Sequence, residues 1–99
     1  MVTQEQIERW KAIHGEVFKY TATEGEKKWE GYFKPITPEV LDAYENASRR
    51  SKLSGDTVVI ENCWLGGDEE IKKRNDLSLG LREWLGLLLV KIEGEMSEL

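Results

Sequence analysis

The hydrophobic residues at the start of the chain recur at the spacing of an α-helix. Thr3 and Gln6 are spaced as in a capping box, and Gly15 suits the left-handed conformation that ends many helices. The pattern predicts a helix of about three turns with an apolar stripe made of Ile7, Trp10, Ile13 and His14. We interpret His14 as a helix-end residue rather than a ligand or a base, because no matching cluster accompanies it.

The hydrophobic period then changes to two, which is typical of β-strands. A turn at residues 24–25 places Tyr20 opposite Trp29 in a β-hairpin. The same register places Phe18 opposite Gly31, so the aromatic faces of the two strands coincide, although a bulge at the turn would shift the register by one. A two-stranded ribbon is marginally stable alone, so we expect its aromatic face to rest on helices or on another chain's sheet.

A second helix is predicted where Thr37 can cap a helix and Pro38 occupies its first position. Its buried stripe is expected to consist of Val40, Leu41, Tyr44 and Ala47. We expect Glu45 to pair with Arg49 one turn later. Residues 51–55 are predicted to form a loop.

Residues 56–65 carry two conflicting signals. Their β-branched run favours a strand, whereas Asp56 as a cap, the length of the segment and Gly66 as a stop favour a helix. We favour the helix. Gly66, Gly67 and Asp68 then predict a tight structural turn, after which a short helix restarts through Ile71.

The last helix is predicted to be capped by residues 75–76 and to run from Leu77 to about Ser97. One broad face of it is apolar. Leu79, Leu87 and Val90 do not belong to that face, and glycines at positions 80, 86 and 94 suggest close approach by another element. We therefore name Leu79, Leu87 and Val90 as a candidate interaction surface; the alternative is a helix buried on two sides within the monomer.

Composition limits the class of protein. The 99 residues, 39% hydrophobic and 33% charged, predict one domain of the α+β class, with a helix and a β-hairpin in 1–35 and a helical part in 36–99. The net charge of −5 arises in residues 56–99, which carry ten acidic and five basic side chains. We expect neither nucleic-acid binding nor a membrane span. The basic cluster at residues 49–52 is interpreted as a solvated helix end. A single cysteine and the absence of a signal-peptide pattern predict a cytoplasmic protein.

The sequence contains no convincing catalytic or metal-binding pattern. Cys63 has apolar neighbours, and a cysteine nucleophile needs a base such as His14 within reach, so we expect a buried, inert thiol. One cysteine and one histidine cannot complete a zinc site, and residues 66–70 lack the alternating ligands of a calcium loop. We therefore predict a protein without enzymatic activity, cofactor or metal.

Three stretches carry a family resemblance: the Asn-Cys-Trp-Leu-Gly-Gly-Asp run within residues 62–71, the opening residues 3–7, and Gly-Tyr-Phe-Lys-Pro at residues 31–35 before a helix. Together they resemble small phage and prophage proteins regarded as tail-assembly-chaperone-like, which also share the order of helix, hairpin and helical part. The resemblance covers nearly the whole chain, and no catalytic residues accompany it.

The resemblance implies a non-enzymatic role in the host cytoplasm, in which the chain keeps a tail protein, the tape measure or the tube subunit, soluble before assembly. Such a role requires exposed apolar surface, and the hairpin edge and the Leu79, Leu87 and Val90 surface are the candidates. The alternative is a structural virion component or a homo-oligomeric interaction module that uses the same surfaces.

Overall fold

The computed structural model describes the backbone of residues 2–93 and the side chains of residues 2–85, and it confirms the predicted α+β class. A three-stranded antiparallel sheet of order β1-β2-β3 is combined with five helices within the described residues. The third strand was not predicted. The elements are α1 (Gln4–His14), β1 (Phe18–Glu24), β2 (Lys27–Phe33), α2 (Pro38–Ser48), α3 (Lys52–Cys63), β3 (Trp64–Gly67), α4 (Glu70–Lys73) and α5 (Asn75–Glu93).

The predicted hairpin forms, but its register differs from the expected one by two residues. Tyr20 lies opposite Gly31, and Ala22 lies opposite Trp29. The turn consists of residues 25–26, and Gly25 at its first position has a φ of 62°. Because side chains alternate with a period of two, a shift by two keeps the aromatic residues of both strands on the same face.

That aromatic face rests on helices, as expected for a small ribbon. The Trp84 ring of α5 lies 5.4 Å from the Phe33 ring and 5.7 Å from the Tyr20 ring. The fully buried side chains around Phe33 come from α3, α4 and α5, and they include Val59, Cys63, Ile71, Leu81 and Leu85. The core therefore lies between one face of the sheet and the C-terminal helices.

The opposite face of the sheet, here called the outer face, is covered in part by α1. The capping box of Thr3 and Gln6 is present, and Gly15 ends the helix as predicted, but its φ of 87° and ψ of −72° lie outside the left-handed helical conformation that was expected. The expected apolar stripe is not buried, however: α1 has no buried residue, and Ile13 is 67% exposed. The half-buried Trp10 makes the one described aromatic contact between α1 and the sheet.

The helix predicted over the β-branched run forms as α3, but it begins earlier and ends earlier than expected. Ser51 caps it by accepting a hydrogen bond from the Ser54 amide at 3.0 Å, so the predicted loop at residues 51–55 is wrong. Asp56 is not the cap; it lies within the helix and is only 2% exposed. The chain leaves the helix after Cys63, because Trp64 is extended and begins β3.

The last described helix packs on the sheet as its pattern predicts. Leu77, Leu81 and Leu85 are buried, whereas Leu79 is 61% exposed. A Cβ atom added at Gly80 would lie 2.8 Å from the Tyr20 hydroxyl, so the close approach expected at a helix glycine is confirmed there. Gly86 and Gly94 lie outside the residues whose surroundings are described. Among residues 2–93, no helix is both long enough and apolar enough to cross a membrane.

Candidate functional site

A groove of about 510 Å³ lies between the N-terminal end of α1 and the outer face of the sheet. Cavities of a few hundred Å³ are large enough for a small ligand or for a few side chains of a partner. Three separate parts of the chain line it: Val2, Gln6 and Trp10 at the α1 end, Lys28, Glu30 and Tyr32 on β2, and residues 65–68 around β3.

Two aromatic side chains form the apolar part of the groove. The ring centroids of Trp10 and Tyr32 are 5.8 Å apart, with the rings tilted by 43°. Gly66 leaves room for Trp10, since a Cβ atom there would lie 3.1 Å from the indole ring. This aromatic pair is the one described ring contact that attaches α1 to the sheet.

The Glu30 carboxylate lies at the centre of the polar part of the groove. It accepts a hydrogen bond from the Tyr32 hydroxyl at 3.3 Å and pairs with the Lys19 ammonium at 3.0 Å. The hydrogen bond from Lys19 is the largest cause that lowers the pKa of Glu30, and the same bond raises the pKa of Lys19. Burial raises the pKa of Tyr32. The groove is therefore a charged-and-aromatic surface in which Glu30 stays ionised.

Gly66 and Gly67, predicted to form a tight turn with Asp68, are instead the last two residues of β3, and all three residues line the groove. Gly67 has a φ of 127°, a backbone conformation that favours glycine. A Cβ atom at Gly67 would collide with the Glu30 carbonyl oxygen and lie 3.0 Å from the Gly31 Cα atom. The backbone of β2 therefore passes directly against Gly67, which explains why this position needs glycine.

Cys63 and His14 do not form a catalytic pair within the described structure. The Cys63 side chain is 1% exposed in the core, and burial raises the pKa of its thiol, as expected for an inert cysteine. His14 lies in the last turn of α1. Residues 2–85 contain no group of three or more His, Cys, Asp and Glu side chains placed to hold a metal ion.

The sequence-predicted interaction surface is described at one of its three residues. Leu79 projects from α5 with 61% of its surface exposed. The side chains of Leu87 and Val90 lie outside the described residues, although the α5 backbone continues through both positions. The surface made of Leu79, Leu87 and Val90 thus stays a prediction.

The hairpin edge presents unpaired backbone groups. Both the amide and the carbonyl of Glu30 bond to Asp68, so Thr21, its partner on β1, directs its own amide and carbonyl away from the sheet. By alternation, Lys19 and Thr23 do the same. No described backbone group pairs with these three residues from outside.

Sequence reasoning did not find the groove. The sequence does contain a signal for the groove, since Tyr32 is the aromatic residue on the otherwise charged side of β2 and Trp10 is the large ring of α1. The contact between these two rings depends on β3, which was predicted to be the end of a helix.

Comparison of the chain with protein-family models, with curated proteins and with solved structures finds no match.

Proposed function

We propose that the chain is a non-enzymatic phage or prophage protein of the tail-assembly-chaperone kind, acting in the host cytoplasm and binding a tail protein through the groove between α1 and the sheet. The tail protein is the tape measure or the tube subunit. One observation carries the proposal. The three stretches of the resemblance are far apart in the sequence, yet each contributes to the groove, through Gln6, through Tyr32 and through residues 65–68.

The lining of the groove suits a short protein segment. Trp10 and Tyr32 offer aromatic surface to an apolar side chain of the partner. Lys28 and Asp68 lie on the same groove and offer charged groups of both signs. Neither side chain is part of an ion pair among the described residues. A mixed lining of this kind orients a segment rather than merely covering it.

The test blocks the groove without touching the core. Lys28 lies on the groove, and Thr23 is its exposed cross-strand partner on β1, outside the groove. Tryptophan is favourable in strands, so Lys28→Trp and Thr23→Trp are matched variants. We expect Lys28→Trp to weaken binding of the tape measure or tube subunit at least tenfold, and Thr23→Trp to leave it unchanged. Binding is measured by co-purification and isothermal titration, and folding by melting temperature.

Two results would overturn the proposal. The first is that neither tail protein binds the unmodified chain. The second is that both tryptophan variants bind as the unmodified chain does while retaining its melting temperature, because the groove would then be filled without consequence.

A further inference from the structure

The connection between α2 and α3 combines exposed cations with exposed leucine. Arg49 caps the end of α2, Arg50 follows it, and Lys52 begins α3; all three side chains are exposed. Leu53 comes next in α3 and is 57% exposed. This end of the helical pair therefore carries three positive charges beside an apolar side chain.

Arg82 connects this area to the exposed leucine of α5. Its Nη1 donates to the Leu53 carbonyl oxygen at 2.9 Å, and its Nη2 donates to the Thr57 hydroxyl at 3.2 Å. Leu79 precedes Arg82 by three positions in the same helix, so the two side chains share a side of α5. Arg82 therefore bonds to the backbone of Leu53 and stands about one helical turn from Leu79. We call Arg49, Arg50, Lys52, Leu53, Leu79 and Arg82 the basic–apolar surface.

Three of its four cationic side chains have no ion-pair partner among residues 2–85. The Glu45–Arg49 pair expected from the sequence is not present, and neither Arg49 nor Arg50 is part of an ion pair within residues 2–85. Arg82 pairs with the buried Asp56 carboxylate at 4.0 Å, so the unpaired charge of the surface, among the described residues, lies on Arg49, Arg50 and Lys52. A local positive surface thus stands on a chain whose net charge is −5.

We propose that the basic–apolar surface is a docking site for an acidic amphipathic helix of a partner protein. Leucines on one side of such a helix cover Leu53 and Leu79, while its carboxylates pair with Arg49, Arg50 and Lys52. The negative charge of the rest of the chain repels an acidic partner, so the complementary surface also fixes where that partner binds. This site is separate from the groove, and it holds whether or not the groove binds a tail protein.

The probe is a synthetic 16-residue helix with leucine at every third or fourth position and glutamate at most others. Binding to the full chain is measured by fluorescence anisotropy at low salt. We expect Arg49→Glu combined with Arg50→Glu to weaken binding at least tenfold. The matched control is Arg9→Glu combined with Lys11→Glu, which reverses two exposed charges on α1 and should leave binding unchanged. We expect Leu79→Ser to weaken binding about fivefold without changing its salt dependence.

Several outcomes would overturn the proposal: equal binding by both charge-reversed variants, equal binding of a probe whose leucines are replaced by serine, or tighter binding of a single-stranded oligonucleotide than of the probe. The molar mass from light scattering tests whether a second copy of the chain occupies the basic–apolar surface. If the protein dimerises and the Arg49→Glu, Arg50→Glu variant is monomeric, the surface binds its own copy instead. Melting temperatures establish that each variant is folded.

Discussion

Glu30 and Asp68, 38 positions apart in the chain, are joined by two hydrogen bonds. The Glu30 amide donates to the Asp68 carboxylate at 2.8 Å, and the Asp68 amide donates to the Glu30 carbonyl at 2.8 Å. Asp68 thus continues the pairing of β3 with β2 by one residue and holds Gly67 against the β2 backbone. Residues that were predicted to form a turn therefore belong to the third strand and its continuation along β2.

Gly66 and Gly67, the last two residues of β3, should respond differently to alanine. Gly67→Ala introduces a Cβ atom at a positive φ and against the Glu30 carbonyl, so we expect a loss of about 2 kcal/mol or more in the free energy of unfolding. Gly66→Ala meets the Trp10 ring, which can move, and touches a Val2 methyl at 3.9 Å, so it should cost less than about 1 kcal/mol while changing the tryptophan fluorescence. Urea unfolding of both variants checks this; equal effects would contradict it.

Removing the Asp68 side chain should be milder than changing Gly67. Asp68→Ala deletes the acceptor of the Glu30 amide but leaves the backbone bond from Asp68 to Glu30 in place. Asp68 is exposed, so water can replace the lost carboxylate, and we expect a cost of about 1 kcal/mol. Asp68→Asn retains an acceptor oxygen and serves as the control. A larger loss for Asp68→Ala than for Gly67→Ala would show that the side chain, not the backbone contact, holds this end of β3 against β2.

The Cys63 thiol should be protected in the native protein. It is 1% exposed and its pKa is raised by burial, so thiolate is scarce and reagents cannot reach it. We expect labelling by a disulfide reagent to be slow in buffer and rapid in urea. Cys63→Ala should destabilise the fold by about 1 kcal/mol or more through the cavity it leaves, without affecting binding by the groove. Rapid labelling under native conditions would contradict burial of the thiol.

Asp56 should make the stability of the fold depend on pH. Burial raises its pKa, against the opposing effects of Arg82 and Lys52. Because the pKa of Asp56 is higher in the folded state, its contribution to the free energy of unfolding is fully present below the ordinary aspartate pKa of about 3.9. That contribution is lost as the pH rises through the higher pKa of the folded state. Asp56→Asn removes this loss, so the free energy of unfolding of the variant should rise relative to that of the unmodified chain as the pH increases from 3 to 7.

The control for this experiment is Asp42→Asn, which removes one exposed carboxylate from α2. Urea unfolding at several pH values measures both variants. A difference between Asp56→Asn and the unmodified chain that stays constant with pH would show that the Asp56 pKa is the same in the folded and unfolded states.

Proline substitutions should reveal which backbone groups of β1 face outward. Thr21 directs its amide away from the sheet, whereas Ala22 lies in the neighbouring, hydrogen-bonded pair with Trp29. We expect Thr21→Pro to cost about 1 kcal/mol and Ala22→Pro about 3 kcal/mol or more, because only the second loses a ladder hydrogen bond. Thr21→Val retains the amide and is the control. Equal melting temperatures for the two proline variants would contradict the register.

The sequence predicted the elements that depend on local signals. The caps at Thr3 and Thr37, the end of α1 at Gly15 and the alternation of β1 and β2 are all set by residues within a few positions of each other, and all are confirmed. The start of α3 was misplaced because Ser51 and Asp56 are both good capping residues. The burial of Asp56 beside α5 excludes it from the cap, and that burial depends on tertiary packing.

The third strand and the groove could not be derived from local signals. In the sequence, Trp64 continues the apolar face of a helix. Its segment becomes a strand because it pairs with the edge of β2 that β1 leaves free. The Trp64 ring then packs edge-on against Phe33 at 5.4 Å, a contact between positions that no periodicity connects. The groove also depends on this pairing, because Trp10 and Tyr32 contact residues 65–68 only when β3 is part of the sheet.

The sheet joins a local hairpin to a distant strand, and this has a consequence for the order of folding. β1 and β2 are connected by a two-residue turn, but β3 reaches β2 only after the chain has passed through α2 and α3. Closing so long a loop costs conformational entropy before its contacts form, which delays the pairing. We expect β3 to dock after the transition state, so that destabilising substitutions at Gly67 speed unfolding and leave the refolding rate nearly unchanged.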